Sequence, residues 1–365
     1  MRVVVSGGGT AGHINPALAL AEVLADRGCE VFFAGTPHGV ESRLVPQAGV
    51  SFTAFEASGF NRRKPMTIVS GVSKIMKSTK KAKAWFAEIK PDVVVGFGGY
   101  VSIPVARAAL AMGIPVVLHE QNSVMGMANK YLAKKAKAVC LTYEHSASAV
   151  EDKSKIRLVG NPVRSSVIKA SREEGRELFG LAEDDFMLLV FGGSLGARHI
   201  NEAISAMKDE LLENEHVHVV HITGPKELDR VEAEMALTEE ERTRWHLMGY
   251  QDRMGVTLAA ADAIVSRAGA TSLAEISALA IPALLVPYPY ATEDHQTTNA
   301  KAYVEAGCAY MMADADVVSE GFREKVRTLI ADESVRSAMR EAARAQKTAD
   351  AAANLADVVL ASARA

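Results

Sequence analysis

Short runs of consecutive apolar residues recur along the chain, separated by stretches with helical patterning. In the first half the runs are Val3–Ser6, Glu30–Ala34, Val93–Gly96, Pro115–His119, Ala138–Leu141 and Arg157–Val159. In the second they are Phe186–Phe191, Val217–Thr223, Trp245–Met248, Ala263–Val265, Ala283–Val286 and Ala309–Met311. Continuous rather than alternating hydrophobicity marks parallel strands buried on both faces. Strand and helix alternating in this way predict an α/β chain with doubly wound parallel sheets. The two series part at Gly160-Asn161-Pro162-Val163-Arg164, ahead of a helix expected over Arg172–Phe179. Residues 1–162 then form one domain and 163–340 a second. Residues 341–365 belong to an alanine-rich final helix, whole or broken, that packs back on the first domain. A length of 365 residues agrees with two cores rather than one.

Each half opens with a glycine-rich turn between a strand and a helix. The first is Gly7-Gly8-Gly9-Thr10-Ala11-Gly12-His13 and the second Gly192-Gly193-Ser194-Leu195-Gly196-Ala197. Turns of this kind gather backbone amides and a helix N-terminus at one point, which suits phosphate or another anion. The first also satisfies the G-x-G-x-x-G pattern of dinucleotide-binding enzymes. The acidic residue expected at the end of the following strand is missing, because Phe32-Phe33-Ala34-Gly35 runs into Thr36, with Glu41 beyond. His13 stands at the mouth of the turn, where an imidazole can accept a proton near neutral pH. Asn15-Pro16 after it reads as an N-cap and first helical residue. Gly98-Gly99-Tyr100 and His119-Glu120-Gln121-Asn122 fall at the carboxyl ends of other strands, the edge where open α/β sheets bind ligands.

In the second half Ser266–Glu275 joins a strand to a helix. Glu275 has two readings: the far end of a capping box begun by Ser272, or an acceptor for the two hydroxyls of a ribose. Glu293–Asn299 is a polar helix start suited to sugar hydroxyls, and Arg164, Ser194 and the amides after Gly193 suit a diphosphate. Asp314-Ala315-Asp316 matches a D-x-D metal motif in form, but follows the last strand and reads as an acidic loop cap. No metal is assigned.

Charge changes the picture more than composition does. Residues 1–160 carry 20 Lys and Arg against 11 Asp and Glu, a net +9, whereas residues 161–365 carry 21 against 33, a net −12. Only the first half is therefore suited to an anionic partner. Much of the excess lies between Arg62 and Lys90, where Lys74, Lys77, Lys80, Lys81 and Lys83 interleave with Ile75, Met76, Trp85 and Phe86. That mixture fits either an interfacial membrane contact or a solvated helix whose apolar stripe packs on its own domain. Nucleic acid is disfavoured, since no aromatic platform or binding motif accompanies the charge. Cys29, Cys140 and Cys308 are widely spaced and read as reduced thiols of a cytosolic protein. No signal peptide and no apolar run of spanning length is expected.

Taken in order, Gly7–His13, Gly98-Gly99-Tyr100, His119–Asn122, Gly160–Arg164, Gly192–Ala197, Arg267–Glu275 and His295-Gln296 resemble the motifs of the bacterial N-acetylglucosaminyltransferases that form lipid II. The resemblance spans essentially the whole chain. It implies a GT-B fold, two Rossmann-like domains facing across a cleft, and no cofactor. It also implies inverting transfer of N-acetylglucosamine from UDP-N-acetylglucosamine to the C4 hydroxyl of lipid I, at the cytoplasmic face of the cell membrane. On this chain's numbering His13 becomes first choice as catalytic base and Glu120 second. The donor falls to Arg164, Ser194, Gln251, Ala270, Thr271, Ser272, Leu273, Ala274, Glu275, His295 and Gln296, with Thr10, Ala11, Gly12 and Asn122 closing on it. Gly9, Tyr100 and Asn129 fall to the acceptor. Lys77, Lys80, Lys81, Trp85 and Phe86 fall to an anionic membrane surface, with cell-wall synthesis proteins as further partners. Another UDP-sugar enzyme of the same fold and a non-catalytic nucleotide-sugar sensor are the competing readings. Ala280 departs from the family pattern, which has a glycine there; a positive φ would strain it.

Overall fold

The computed structural model describes residues 1–57, 66–193 and 196–364 together with Pro65, except Lys347. The chain divides into two compact units, Met1–Arg164 with Ala349–Ala365, and Ser165–Thr348. The first is built on seven parallel strands: β1 Arg2–Ser6, β2 Glu30–Gly35, β3 Ser51–Ala54, β4 Val93–Gly96, β5 Val116–Glu120, β6 Ala138–Leu141 and β7 Ile156–Leu158, in spatial order β3-β2-β1-β4-β5-β6-β7. The second has six: β8 Phe186–Phe191, β9 Val217–Ile222, β10 Trp245–Met248, β11 Ala263–Ser266, β12 Ala283–Leu285 and β13 Ala309–Met311, in order β10-β9-β8-β11-β12-β13. Both sheets reverse direction beside their first strand, as doubly wound folds do.

The apolar runs become strands because they are buried on both faces: Val3, Val4, Val5, Val93, Val94 and Val95 are wholly inaccessible to solvent. β3 has no counterpart among the sequence-derived runs. Ser51-Phe52-Thr53-Ala54 is a half-exposed edge strand, so it lacks the continuous apolar signal. The terminal stretch is two helices, Glu333–Ala345 and Ala351–Arg364. The second packs on the helix Ala11–Asp26, with Leu355, Ala356 and Val359 inside the first unit's core and Arg27 Nη1 2.6 Å from Asp357 Oδ1.

Register aligns the strand ends that carry the site. Ser6 pairs with Ala34 and Gly96, and Glu120 with Leu141; in the other sheet Ser266 pairs with Phe191 and Leu285. The turns after these residues therefore gather at the carboxyl edge of each sheet.

Candidate active site

The helix after the first glycine turn begins at Ala11, with Thr10 as its N-cap residue. Asn15 and Pro16 thus lie in its second turn and are not its cap and first residue. His13 occupies the first turn. Its Nδ1 is 3.2 Å from both the Gly8 carbonyl oxygen and Thr10 Oγ1. A carbonyl only accepts, so both contacts are satisfied together when Nδ1 carries the proton, which leaves the ring's lone pair on Nε2. The ring lies against Gly98, where an added Cβ would sit 3.4 Å from His13 Nε2. Gly98 and Gly99 have φ of +90° and +75°. A Cβ on Gly99 would reach 2.5 Å from the Gly8 oxygen, so this pair of glycines lets two loops touch backbone to backbone. The adjoining Tyr100 is partly exposed.

At the end of β5 the side chains are committed to one another. Glu120 Oε1 accepts from the Asn122 backbone amide at 3.1 Å and its side-chain amide at 3.4 Å. Oε2 accepts from the Gly126 amide at 3.0 Å and from Asn129 Nδ2 at 2.9 Å. Asn129 Nδ2 also donates to the His119 carbonyl, while its buried Oδ1 finds no partner. His119 is wholly buried. Its Nε2 donates to the Gly160 carbonyl at 2.9 Å, its Nδ1 accepts from Gln121 Nε2, and burial pushes its pKa down to about 4. It is a neutral structural tie between β5 and the segment after β7. Arg164 Nε lies 2.9 Å from Glu22 Oε1, on the helix that carries His13.

In the second unit Gly192, Gly193 and Gly196 shape the turn after β8, whereas Ser194 lies outside the described residues. A Cβ on Gly196 would come within 2.1 Å of the Thr223 carbonyl oxygen. The helix after β11 starts at Ala270 with Gly269 as N-cap. This start excludes the capping box, because Ser272 is then the third helical residue and Glu275 the sixth. Leu273 and Ala274 are buried, so their side chains face the core, while Thr271, Ser272 and Glu275 are half-buried. Gln296 Oε1 bridges the amides of Ala268, at 3.2 Å, and Tyr288, at 3.0 Å, tying together the loops after β11 and β12. His295 Nδ1 meets the Thr292 carbonyl at 2.8 Å, and Gln251 Oε1 accepts from the Arg253 amide.

Two buried charged residues near these loops, Arg267 and Glu41, stand outside the site residues that the sequence suggests. Arg267, 9 % exposed, donates to the Val286 and Pro287 carbonyls and pairs with Asp314 Oδ1. The other oxygen of Asp314 meets His199 Nδ1. Asp314, read from the sequence as an acidic loop cap, is therefore a buried ion-pair partner beneath the loops after β11 and β12. Among the described residues no three acidic, histidine or cysteine side chains are placed to hold a metal. The second group is Glu41 with Thr36 beneath the first glycine turn. Their signal in the sequence was indirect: Gly35 and Gly39 flank them.

The basic helix Pro65–Ile89 exposes Lys74, Lys77, Lys80, Lys81 and Lys83. Phe86 is not available to a membrane, since it is buried in the first unit's core. Trp85 is half-buried, with ring centroids 5.4 Å from both Phe55 and Phe86. Packing at helical spacing claimed these aromatics for the domain itself. No described helix is long and apolar enough to cross a membrane.

Comparison with known proteins is consistent along the chain. Residues 3–141 match the Glycosyltransferase family 28 N-terminal domain and residues 187–355 its C-terminal domain. A protein of Halothermothrix orenii is 39 % identical over 337 residues, 91 % of each chain. One of Leuconostoc mesenteroides is 40 % identical over 363 residues, 99 % of each. Both are named UDP-N-acetylglucosamine--N-acetylmuramyl-(pentapeptide) pyrophosphoryl-undecaprenol N-acetylglucosamine transferase. The crystal structure of Acinetobacter baumannii MurG matches with a TM-score of 0.75 at 28 % identity, over 98 % of this chain and 99 % of that one. The fold is accordingly the GT-B arrangement of two Rossmann-like domains, and the chain belongs to the family of UDP-N-acetylglucosamine–N-acetylmuramyl-(pentapeptide) pyrophosphoryl-undecaprenol N-acetylglucosamine transferases.

Proposed function

We propose that this chain transfers N-acetylglucosamine from UDP-N-acetylglucosamine to the C4 hydroxyl of the lipid-linked N-acetylmuramyl-pentapeptide, forming lipid II in peptidoglycan synthesis. The observation that carries the chemistry is His13, held in the first turn of a helix with its Nδ1 on the Gly8 carbonyl. In the reaction Nε2 takes the proton of the acceptor hydroxyl as that oxygen bonds to the anomeric carbon. The bond from that carbon to the diphosphate breaks with inversion, and UDP leaves with the electron pair. Glu120, with four donors on its two oxygens, serves to hold Asn122 and Asn129 beside the acceptor rather than as base.

The donor belongs to the second unit. The helix N-terminus at Ala270–Ser272 faces the diphosphate, Glu275 the ribose, the Gln251 backbone the base, and His295 with Gln296 the sugar. Arg164 exchanges Glu22 for the diphosphate when the donor is bound. Helix N-termini and a guanidinium then meet the charge that builds on the leaving group. Tyr100 and Asn129 line the acceptor, Thr10, Gly12 and the Ala11 backbone lie on its side and close on the donor, and the exposed lysines Lys77, Lys80 and Lys81 hold the chain peripherally on anionic lipid at the cytoplasmic face.

The test is transfer from labelled UDP-N-acetylglucosamine to a lipid I analogue by the purified chain, with and without chelator. Transfer that survives chelation supports the reading. Tight UDP-sugar binding without transfer would turn it toward another acceptor or a sensor. Charge reversal at Lys77, Lys80 and Lys81 should weaken binding to vesicles containing anionic lipid; unchanged binding would remove the membrane contact.

A further inference from the structure

Glu41 belongs to no motif above, and its side chain is wholly buried. It opens the helix Glu41–Gln47 beyond β2. Its Oε1 accepts from the Thr36 amide at 2.9 Å and the Thr36 hydroxyl at 2.6 Å, and Oε2 accepts from the Gly9 amide at 3.3 Å. A buried carboxylate is costly unless such donors replace water, and its place in the first turn of a helix adds a favourable dipole.

Three glycines wall it in. A Cβ on Gly8 would stand 2.4 Å from Oε1, one on Gly35 2.6 Å from Cγ, and one on Gly39 2.2 Å from Oε2. None of the three has a positive φ, so space rather than backbone conformation demands glycine. The seat reaches directly to the proposed base. Gly8 rests on Glu41 from one side, and its carbonyl receives His13 Nδ1 on the other. Gly99 closes on that same carbonyl.

We propose that Glu41 is a positioning residue for glycosyl transfer: it braces Gly8 and Gly9 from behind and so fixes the carbonyl that sets the tautomer and direction of the His13 ring. The inference rests on the assignment of His13 as base. Glu41 itself, being buried, touches neither substrate. The Gly9 amide is spent on it, so the acceptor diphosphate must find its donors elsewhere in the turn.

The experiment compares the purified full chain with Glu41→Gln, Glu41→Asp, Thr36→Val, His13→Ala and the double variant Glu41→Gln/His13→Ala, using steady-state kinetics, thermal melting and ¹⁵N spectra of the histidine rings. Glu41→Gln should lower kcat on the order of 10- to 100-fold, as a small misplacement of a catalytic group does. The KM for UDP-N-acetylglucosamine should stay within about twofold, because the donor is held elsewhere. Glu41→Asp should recover part of the loss, and the ring nitrogens of His13 should lose their Nδ1-protonated signature in Glu41→Gln. On the His13→Ala background the substitution should cost nothing further. If Glu41→Gln does not fold, Thr36→Val makes the same test, with a smaller fall in kcat and the same spectral change. Wild-type kcat and spectra in Glu41→Gln, beside an inactive His13→Ala, would overturn the role of Glu41 alone. An equal further loss on the His13→Ala background would also overturn it. Full turnover by His13→Ala would overturn the base assignment, and the role of Glu41 with it.

Discussion

The two units satisfy the buried charges beside their sheet edges in different ways. Beneath the first glycine turn is a buried carboxylate, Glu41, which takes the Gly9 amide for itself. Beside the loops after β11 and β12 the buried group is an ion pair, Arg267 with Asp314, its guanidinium 5.6 Å from the Tyr288 ring. In the first unit hydrogen-bond donors satisfy the carboxylate, whereas in the second a guanidinium and a carboxylate satisfy each other. An anion behind the loop suits a histidine that must gain a proton.

The sharpest way to break this contrast is at the imidazole. His13→Ala should lower kcat by roughly 10²- to 10⁴-fold, the span of general-base catalysis, with little change in UDP-sugar affinity. Parallel turnover and binding measurements check it; a comparable loss of donor affinity would mean that the first turn also serves the donor. In the second unit Asp314→Asn should leave Arg267 buried without its partner. The expected cost is about 3–5 kcal/mol of stability, read by denaturant unfolding. A loss well under this would show that the Val286 and Pro287 carbonyls suffice for the guanidinium.

Acid should separate the units next. Burial lowers the pKa of His221 to about 3 and of His246 to about 4, and His218 is lowered too, whereas in the first unit His119 is lowered to about 4. The rings of His119, His221 and His246 are neutral in the folded chain near pH 7 and bind a proton near pH 6.5 when unfolded. Their stabilising contribution is therefore complete above about pH 6.5 and is lost as pH falls toward 4. Hydrogen exchange between pH 7 and 5 should show the second unit losing protection more steeply. The smallest effect is expected at Ala280, which ends its helix with φ +52°. Ala280→Gly should raise stability by about 0.5–1 kcal/mol in thermal unfolding, since glycine meets that backbone without strain.

Much of this was legible in the sequence. Apolar runs marked twelve of the thirteen described strands, and the edge strand β3 escaped because its residues are only half-buried. The glycine turns, His13 and the polar ends of β5 and β11 stood out because each is a local departure from a buried strand. Other readings failed where locality ends. Asn15-Pro16 resembles a helix start, yet the helix begins at Ala11, since the turn geometry, not the proline, decides where helical hydrogen bonding starts. Ser272 and Glu275 have capping-box spacing, but the cap falls on Gly269. Phe86 shares a stripe with lysines and is nonetheless core.

By itself the sequence determined the parallel α/β order, the two glycine turns and the charge asymmetry between the halves, all of which follow from residues near one another in the chain. Only tertiary structure decided which charges are buried and whom they face. Glu41 meets Gly9 across 32 residues, and Arg267 meets Asp314 across 47. Neither pairing has a periodicity to read, because each exists only where separate strand ends converge at one edge of a sheet. There the exclusion of water makes each buried charge depend on the partners that convergence supplies.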